Sequence, residues 1–408
     1  MRSHLLLPSV ILALSTTLAA QGTGQPPPCP TDAIEASGGQ ASGFFSQVSV
    51  AGGRLLVGEP LYDGTRSDQG RLQFFKRTGG QWISDVQFND PFPTTAAYYG
   101  AATAMSGSWA VVGRPFSGGT PQGSIRFFMH NGTTWTQHQQ FFNGSATGQF
   151  GGWRGLAMTD DTVIASAYAH DGVLTNQGAA WTYVRNGATW QPGQQLLDPI
   201  PTQQAEFGRA VAIDDTTAAV SAFNGSGLVY IYRYDAAAAN WFVDWIILPS
   251  VATGNQFGFD IDLDGEFLVV GARRFNGTGT DSGAIFIFRD NGLGNPWTEE
   301  ATLLTGNDTG SGDLFGTSVA LNGVTVFAGA PSHPGGGAAY LFRRKTNGIW
   351  AQEQKVQPPA INANDNFGHS IEAGGTWLLI GAPYGDGTGT DTGTVHILNH
   401  STCPLTTL

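Results

Sequence analysis

The sequence predicts an all-β protein, a seven-bladed β-propeller of four-stranded antiparallel blades, and three observations lead to this prediction. A unit of about 54 residues recurs seven times along the chain. Each unit contains four short segments with the alternating pattern of strands, separated by glycine-rich turns. The chain has 58 glycines and only 12% charged residues among its 408 residues, a composition that suits turn-rich β-structure around a substantial core.

An aromatic residue followed by glycine, or a variant of this pair, begins each unit, and successive pairs are 50 to 58 residues apart. The seven pairs are Phe44-Phe45, Tyr99-Gly100, Phe150-Gly151, Phe207-Gly208, Phe257-Gly258, Phe315-Gly316 and Phe367-Gly368. In six units a small residue follows 14 positions after the aromatic residue and opens a triplet such as "GAP". In the third unit this residue is Ser166, 16 positions on, so that unit carries two extra residues around Trp153.

The four strands of a unit are read from its internal pattern. A segment such as "SVALNGVTVFAGA" (Ser318 to Ala330) holds two strands around an Asn-Gly turn. A third strand such as "GAIFIFRD" (Gly283 to Asp290) follows. A tryptophan then opens the fourth strand in six units, at Trp82, Trp135, Trp190, Trp241, Trp297 and Trp350. Four antiparallel strands repeated in this way are typical of propeller blades.

The seventh unit lacks a tryptophan-led fourth strand, but an extended segment, Thr31 to Ser37, precedes the first unit. We expect this segment to complete the last blade, which closes the ring and removes its exposed edges. Cys29 and Cys403 are the only cysteines, and this closure brings them together, so we predict a disulfide between them. The alternative is two unrelated free thiols. Residues 31–404 are therefore predicted to form one propeller domain.

The N-terminus predicts export. Arg2 and His4 precede an apolar run from Leu5 to Leu14, and small residues end the segment at Leu18-Ala19-Ala20, as in a signal peptide over residues 1–20. Residues 21–30 form a proline-rich segment, and Cys29 lies too far downstream for a lipoprotein signal. The net charge of −12 argues against a nucleic-acid partner. We expect a secreted or periplasmic monomer without stable membrane insertion.

The repeated pattern, aromatic-Gly-x-Ser-Val-Ala followed by Gly-Ala-Pro, resembles the FG-GAP repeat. The best copies begin at Phe315-Gly316 and Phe367-Gly368, with Gly329-Ala330-Pro331 and Gly381-Ala382-Pro383 downstream. This repeat builds the seven-bladed propeller at the N-terminus of integrin α chains. The resemblance implies the same fold and a ligand face formed by the connections between strands two and three and between successive blades. It also suggests a role in adhesion, although a fold does not define an activity.

Integrin-type repeats often carry a D-x-D-x-D-G calcium loop, and only "DIDLDG" (Asp260 to Gly265) matches those letters here. Repeat alignment instead assigns Asp260 and Asp262 to a first strand, on one face, with Asp264 in the turn. They are either a cation clasp unlike the integrin loop or a buried polar patch beside the central channel.

Four loops between strands two and three, in units one, three, five and seven, have equal length and carry Asp or Asn at the same two places. The pairs are Asp63 and Asp68, Asp171 and Asn176, Asn276 and Asp281, and Asp386 and Asp391. Carboxylate and carbonyl oxygens suit calcium, so these residues are predicted ligand-binding positions, with Asp386, Asp391, Asp260 and Asp262 as candidate calcium ligands. The alternative is that Asp-Gly and Asn-Gly serve the turns alone.

No sequence motif indicates catalysis, and we assign no catalytic residue. Asp260, Asp262, His369 and Glu372 lie on first strands, so a catalytic cluster in the channel requires that all four converge on one cavity. We therefore expect an exported binding or adhesion module that recognises a protein or glycan, with calcium as the one possible cofactor. The alternatives are a propeller hydrolase or lyase, and a structural exported protein without a specific ligand.

Overall fold

The computed structural model describes residues 31–35, 47–116, 122–142, 148–223, 226–250, 255–303, 308–358, 361–387 and 390–400. All regular secondary structure in these ranges is β-strand, which confirms the predicted all-β class. The described ranges hold no helix of the length and hydropathy that a bilayer crossing requires.

The described strands form seven four-stranded antiparallel sheets, each a propeller blade. The N-terminal strand and the first three blades comprise β1 (Thr31–Glu35), β2 (Gln47–Ala51), β3 (Arg54–Glu59), β4 (Arg71–Thr78), β5 (Gln81–Asn89), β6 (Thr103–Ser106), β7 (Trp109–Arg114), β8 (Ser124–His130), β9 (Trp135–Phe142), β10 (Leu156–Met158), β11 (Thr162–Ala167), β12 (Ala179–Asn186) and β13 (Thr189–Leu196).

The remaining blades use the same strand order. Their strands are β14 (Val211–Asp214), β15 (Thr217–Ala222), β16 (Leu228–Asp235), β17 (Asn240–Ile247), β18 (Phe257–Asp264), β19 (Phe267–Ala272), β20 (Ala284–Arg289), β21 (Thr298–Leu303), β22 (Ser318–Asn322), β23 (Thr325–Ala330), β24 (Ala338–Arg344), β25 (Trp350–Val356), β26 (Ser370–Gly374), β27 (Trp377–Ala382) and β28 (Thr394–Asn399). Blades one to six are β2–β5, β6–β9, β10–β13, β14–β17, β18–β21 and β22–β25.

The N-terminal strand completes the seventh blade, whose order is β26-β27-β28-β1. Thr31 lies opposite Leu398 and Glu35 opposite Thr394 in an antiparallel ladder, so the predicted closure is confirmed for Thr31–Glu35. The first strands of neighbouring blades contact each other around the whole ring, including β26 against β2. Residues 36–37, the Phe44-Phe45 pair and both cysteines lie outside the described residues, so the disulfide remains a prediction.

The core is divided into seven apolar clusters, each between two neighbouring blades. Second strands such as β11 and β19 are buried along their whole length, because another blade covers each face of the sheet. The tryptophans that open the fourth strands pack across these interfaces. Trp135 stacks on Phe74 of blade one at 4.4 Å, and Trp190 stacks on Phe127 of blade two at 4.7 Å between ring centroids.

The aromatic-Gly pair and the small residue 14 positions later meet between blades. A Cβ added to Gly329, near the end of β23 in blade six, would lie 1.9 Å from the carbonyl oxygen of Gly368 at the start of blade seven. In blade three Ser166 takes the glycine position and donates a hydrogen bond to the Gly208 carbonyl at 2.6 Å. The repeated motif therefore reflects close backbone contact between successive blades.

Candidate functional site

The strand-two-to-three loop of one blade meets the start of the next blade on a single face of the ring, which we call the loop face. Here the glycine before a third strand pairs with the aromatic residue of the following blade, as Gly70 does with Tyr99 and Gly283 with Phe315. The aromatic residues themselves are fully buried. The loop face is the face that the resemblance implies for ligand binding.

All four predicted Asp/Asn pairs form the same hydrogen bond within their loops. The first residue accepts, through Oδ1, the backbone N–H of the second, five positions later. The distances are 2.7 Å for Asp63 and Asp68, 2.8 Å for Asp171 and Asn176, 2.8 Å for Asn276 and Asp281, and 2.9 Å for Asp386 and Asp391. We call this contact the loop clasp. It explains why Asp and Asn are interchangeable at the first position, since both provide the acceptor oxygen.

The second residue of each pair has left-handed backbone geometry. Its φ is 51° at Asp68, 47° at Asn176, 52° at Asp281 and 54° at Asp391, a region that Asp and Asn tolerate better than most residues. In three of the loops its carbonyl accepts a hydrogen bond from the next blade, for example from the N–H of Tyr98 to Asp68. Both positions of the Asp/Asn pairs therefore have a structural reason to recur among the blades, independent of any ligand.

The four pairs lie in four different blades, so the structure does not bring them together into one site. No group of three or more His, Cys, Asp or Glu side chains in the described residues has the arrangement of a metal site. In blade seven a third carboxyl lies near the pair, because Asp386 and Asp391 both raise the pKa of Asp365 after the larger effect of its burial. Calcium binding by these loops remains a prediction, and blade seven is its strongest candidate.

The "DIDLDG" segment links blade five to blade six. The Oδ2 atoms of Asp260 and Asp262 accept the N–H groups of Val319 and Leu321 at 2.9 and 2.7 Å, and Asp264, at the end of β18, likewise accepts the N–H of Gly323. Asp260 and Asp262 thus lie on one face of β18, as predicted from their spacing, whereas Asp264, which was predicted in the turn, is the last residue of the strand and bonds to the same neighbouring blade. Asp260 and Asp262 satisfy backbone donors of β22 that its own sheet leaves unpaired.

A cavity of about 160 Å³ occupies the central channel and is lined by the first strands. Asp260, Asp262 and Glu372 line it, whereas His369 does not. Most other residues at the depth of Asp262 and Glu372 are small, such as Ser49, Ala104 and Ala212. The predicted four-residue cluster is therefore not formed, and only its three carboxyl groups share one cavity.

These carboxyls are partly withdrawn from solvent inside the channel. Burial raises the pKa of Asp260 to about 6, against the opposing effect of Arg154, and raises the pKa of Asp262 to about 7. The pKa of Glu372 is raised well above its usual value by burial and then by Asp262 and Asp260. The channel interior thus raises the pKa of all three carboxyls, although Asp260 is still mostly ionised at neutral pH.

Arg154 crosses the loop-face end of the channel. It belongs to blade three, yet its Nε lies 3.5 Å from Asp260 Oδ1 of blade five, and its Nη2 donates to the carbonyl of Thr317 in blade six at 3.0 Å. A longer contact of 3.5 Å reaches the carbonyl of His369 in blade seven. The two extra residues of the third unit therefore allow the guanidinium group of Arg154 to lie across the mouth of the channel.

Arg154 is part of a group of arginines and aromatic rings that we call the mouth cluster, composed of Arg154, Tyr168, Arg209, Phe223, Phe259 and Arg273. The guanidinium carbon of each arginine lies over the Phe259 ring, at 4.5, 5.3 and 3.6 Å from the centroid in the order of the sequence. Arg209 also lies over Tyr168 and Phe223, at 4.8 and 5.6 Å. The cluster spans blades three, four and five.

The mouth cluster was not predicted from the sequence, although a signal for it exists. The triplet that reads Gly-Ala-Pro in the last two blades has Tyr168, Phe223 and Arg273 in place of proline in three consecutive blades. Arg209 and Phe259 directly follow the aromatic-Gly pairs of blades four and five. The third position of the triplet and the position after the aromatic-Gly pair both face the channel mouth. Only the arrangement of the blades in the propeller shows that these two positions are neighbours.

Comparison with known proteins supports the repeat assignment. The FG-GAP repeat family matches residues 246–288, 297–342 and 350–398, which extend from the end of blade four through blade seven. Comparison with curated proteins finds no match.

The solved structures that resemble the chain include the following two. A crystal structure of a protein from Lactobacillus plantarum is 13% identical, with a TM-score of 0.52, and covers 78% of this chain and 85% of its own. A putative 6-phosphogluconolactonase from Bacteroides fragilis is 12% identical, with a TM-score of 0.54 and the same coverage of the two chains. At these identities the similarity supports the propeller fold alone.

Proposed function

This chain is an FG-GAP repeat β-propeller, and we propose that it acts as an exported binding module that holds a protein or glycan ligand on its loop face, at the channel mouth. The observation that carries the proposal is the mouth cluster. It gathers three arginines and three aromatic rings from blades three to five. Arginine and aromatic side chains dominate binding energy at protein recognition sites.

The neighbouring surface extends this arrangement. Tyr98 packs against Phe116 and Trp153, each at 5.6 Å between ring centroids, and all three side chains are partly exposed. Trp153 directly precedes Arg154 in the chain. We call Tyr98, Phe116 and Trp153 the aromatic flank. Together with the mouth cluster it offers a recognition surface on a rigid scaffold, which favours binding with little loss of conformational entropy.

Export is proposed from the N-terminal segment, since a basic start, an apolar run and a small-residue end are typical of a signal peptide. The two cysteines suit an oxidising compartment if they form the predicted disulfide. The acidic net charge also suits an exported protein, because a charged surface keeps a protein soluble.

Binding is favoured over catalysis by the size of the channel cavity. Pockets for small molecules usually measure about 300 Å³ or more, whereas the cavity that Asp260, Asp262 and Glu372 line is about 160 Å³. Arg154 further narrows its loop-face entrance. A substrate of ordinary size does not reach the carboxyls in this geometry.

The proposed function is tested by presenting the purified mature protein to a glycan array and to cell surfaces, with a variant in which Arg209, Arg273 and Trp153 are replaced by Gln, Gln and Ala. We expect the wild type to retain at least one ligand and the triple variant to lose it, while both unfold at similar temperatures. Absence of any retained ligand in both formats would contradict the proposal and favour a structural role.

A hydrolase or lyase is the second candidate, because Asp260, Asp262 and Glu372 share a cavity and Glu372 favours its protonated form. A protonated carboxyl beside an ionised one is an arrangement that general acid-base catalysis can use. The test is turnover of ester, lactone and glycoside substrates by the wild type and by Glu372→Gln. Equal background rates for both proteins would exclude this candidate.

A further inference from the structure

We propose that the mouth cluster is an anion site that receives the carboxylate of an acidic sugar, with Arg209 and Arg273 as its direct contacts. This inference rests on the proposed binding function and narrows the ligand to an acidic glycan. Arg154 closes the floor of the site, and the aromatic flank lies beside it.

The first step is electrostatic. The chain carries 31 acidic and only 19 basic residues, yet three of its arginines gather around one phenylalanine ring. Their mutual repulsion is visible at Arg273, whose pKa is lowered to about 10 by burial and then by Arg154, Arg209 and Arg274. A bound anion relieves such repulsion, which makes binding favourable at this point of an otherwise acidic molecule.

The second step concerns unused hydrogen-bonding capacity. Within the described part of the chain, the Nε atoms of Arg154 and Arg209 are buried without a hydrogen-bond partner. Arg154 has an ion pair with Asp260, but no described carboxylate forms an ion pair with Arg209 or Arg273. Glu206 and Asp281 act on the cluster only at longer range. Buried guanidinium donors without partners are costly, and a planar carboxylate matches their fork geometry.

The third step identifies a sugar. Trp153 and Tyr98 present partly exposed rings next to the arginines, and the electron-rich face of an aromatic ring attracts groups with a positive edge. The C–H groups on one face of a pyranose ring fit this surface. A nucleic acid or another long polyanion is disfavoured because the net charge of −12 repels it outside this small region.

The channel interior limits how deeply the ligand binds. Directly beneath Arg154 lie the carboxyl groups of Asp260, Asp262 and Glu372, so the positive charge of the mouth gives way to the negative charge of Asp260 within the channel. An anion is attracted at the mouth and repelled below it. The ligand therefore caps the channel and does not thread through it, which leaves the remainder of a longer glycan to lie across the loop face.

The test uses the full-length mature protein with two acidic probes, tetragalacturonate and sialyllactose, and their uncharged counterparts, the methyl esters of both. We expect calorimetric binding of at least one acidic probe, at least tenfold weaker binding of its uncharged counterpart, and weakening as sodium chloride is raised. Arg209→Gln should weaken binding about 10- to 100-fold, the range for one charged hydrogen bond.

Matched variants separate this effect from changes in folding or total charge. Arg273→Gln should weaken binding similarly. Arg66→Gln, which removes an exposed arginine elsewhere on the loop face, should change it less than twofold. Binding of neither acidic probe, or unchanged affinity in both mouth variants, overturns the inference. If the wild type then binds a neutral glycan on the array or a protein on cell surfaces, the proposed binding function stands without this inference.

Discussion

At the scale of single residues, the repeat requires glycine, which has no Cβ, where successive blades come closest together. Gly58, Gly113, Gly271 and Gly329 each end a second strand, and an added Cβ at any of them would lie 1.8 to 2.2 Å from a carbonyl oxygen of the next blade. No side chain fits at that distance without moving the blades apart. The glycine of the triplet is thus required by packing between blades and not by its own backbone angles.

Gly329→Ala tests this requirement. We expect it to lower the free energy of unfolding by about 2 kcal/mol or more, because the new methyl group forces apart two closely packed strands. Gly310→Ala is the matched control, since an added Cβ there meets no atom within 4 Å. Denaturant unfolding of both variants gives the comparison. Equal stability of the two variants would contradict the packing explanation.

At the scale of an element, the loop clasp separates two roles of the Asp/Asn pairs. Asp386→Asn keeps an acceptor oxygen for the Asp391 N–H but removes a charge, whereas Asp386→Ala removes the acceptor. If the clasp alone matters, Asp386→Ala costs about 1 kcal/mol or more and Asp386→Asn much less.

If the loops bind calcium, the same two variants should also differ from the wild type in their response to calcium. A bound ion raises the melting temperature of the wild type, and chelation reverses the shift. Asp386→Asn should then reduce that shift, because one carboxylate ligand is lost. Thermal unfolding with calcium and with chelator measures both effects. A wild-type melting temperature that is the same in both conditions would exclude calcium from these loops.

The carboxylates of β18 predict a pH dependence. The pKa of Asp262 is about 7 in the folded protein and about 3.9 in an unfolded chain, so its contribution to stability is fully present below about pH 4 and is lost as the pH rises through about 7. Asp262→Asn removes this titration but keeps an acceptor for the Leu321 N–H.

The measurement compares the wild type with Asp262→Asn between pH 4 and pH 8. Relative to the variant, the wild type should lose about 1 kcal/mol or more across this range. The difference between the two proteins cancels the titration of the buried histidines, whose lowered pKa values act in the opposite direction. A difference that stays constant with pH would show that Asp262 does not titrate in this range.

At the scale of the whole molecule, stability depends on closure by β1. Without it, β28 exposes an unpaired edge, and Ile34 leaves the apolar cluster between blades seven and one. Removal of residues 1–36 should therefore lower the melting temperature and promote association through that edge. Calorimetry and light scattering test this outcome, and a monomer that melts as the mature protein does would contradict it.

The predicted Cys29–Cys403 disulfide reinforces the same closure. In the chain-entropy account, a bridge that closes a loop of roughly 370 residues contributes about 6 kcal/mol. We expect no reactive thiol in the denatured, unreduced protein and a lower melting temperature after reduction. Two titratable thiols in the unreduced protein would show that the bridge is absent.

Much of the fold was predictable because its signals are local and repeated. The period of the aromatic-Gly pairs, the alternation along segments such as Ser318 to Ala330, and the missing strand of the seventh unit together defined seven blades and their closure. The loop clasp was only partly predictable. The recurring Asp and Asn positions were evident in the sequence. The hydrogen bond across five residues and the left-handed backbone of Asp68 and its equivalents depend on the three-dimensional path of the loop, which no sequence pattern describes.

The sequence alone therefore determined the propeller, because strand pairing within a blade joins residues that are near in the chain and follow one repeated pattern. Tertiary structure decided which side chains share the channel mouth. Arg154 contacts His369 across 215 positions of sequence, and no local pattern encodes a contact between such distant blades. The mouth cluster forms where blades three to five place residues of separate units around Phe259, so its arginines become neighbours only when these blades pack side by side.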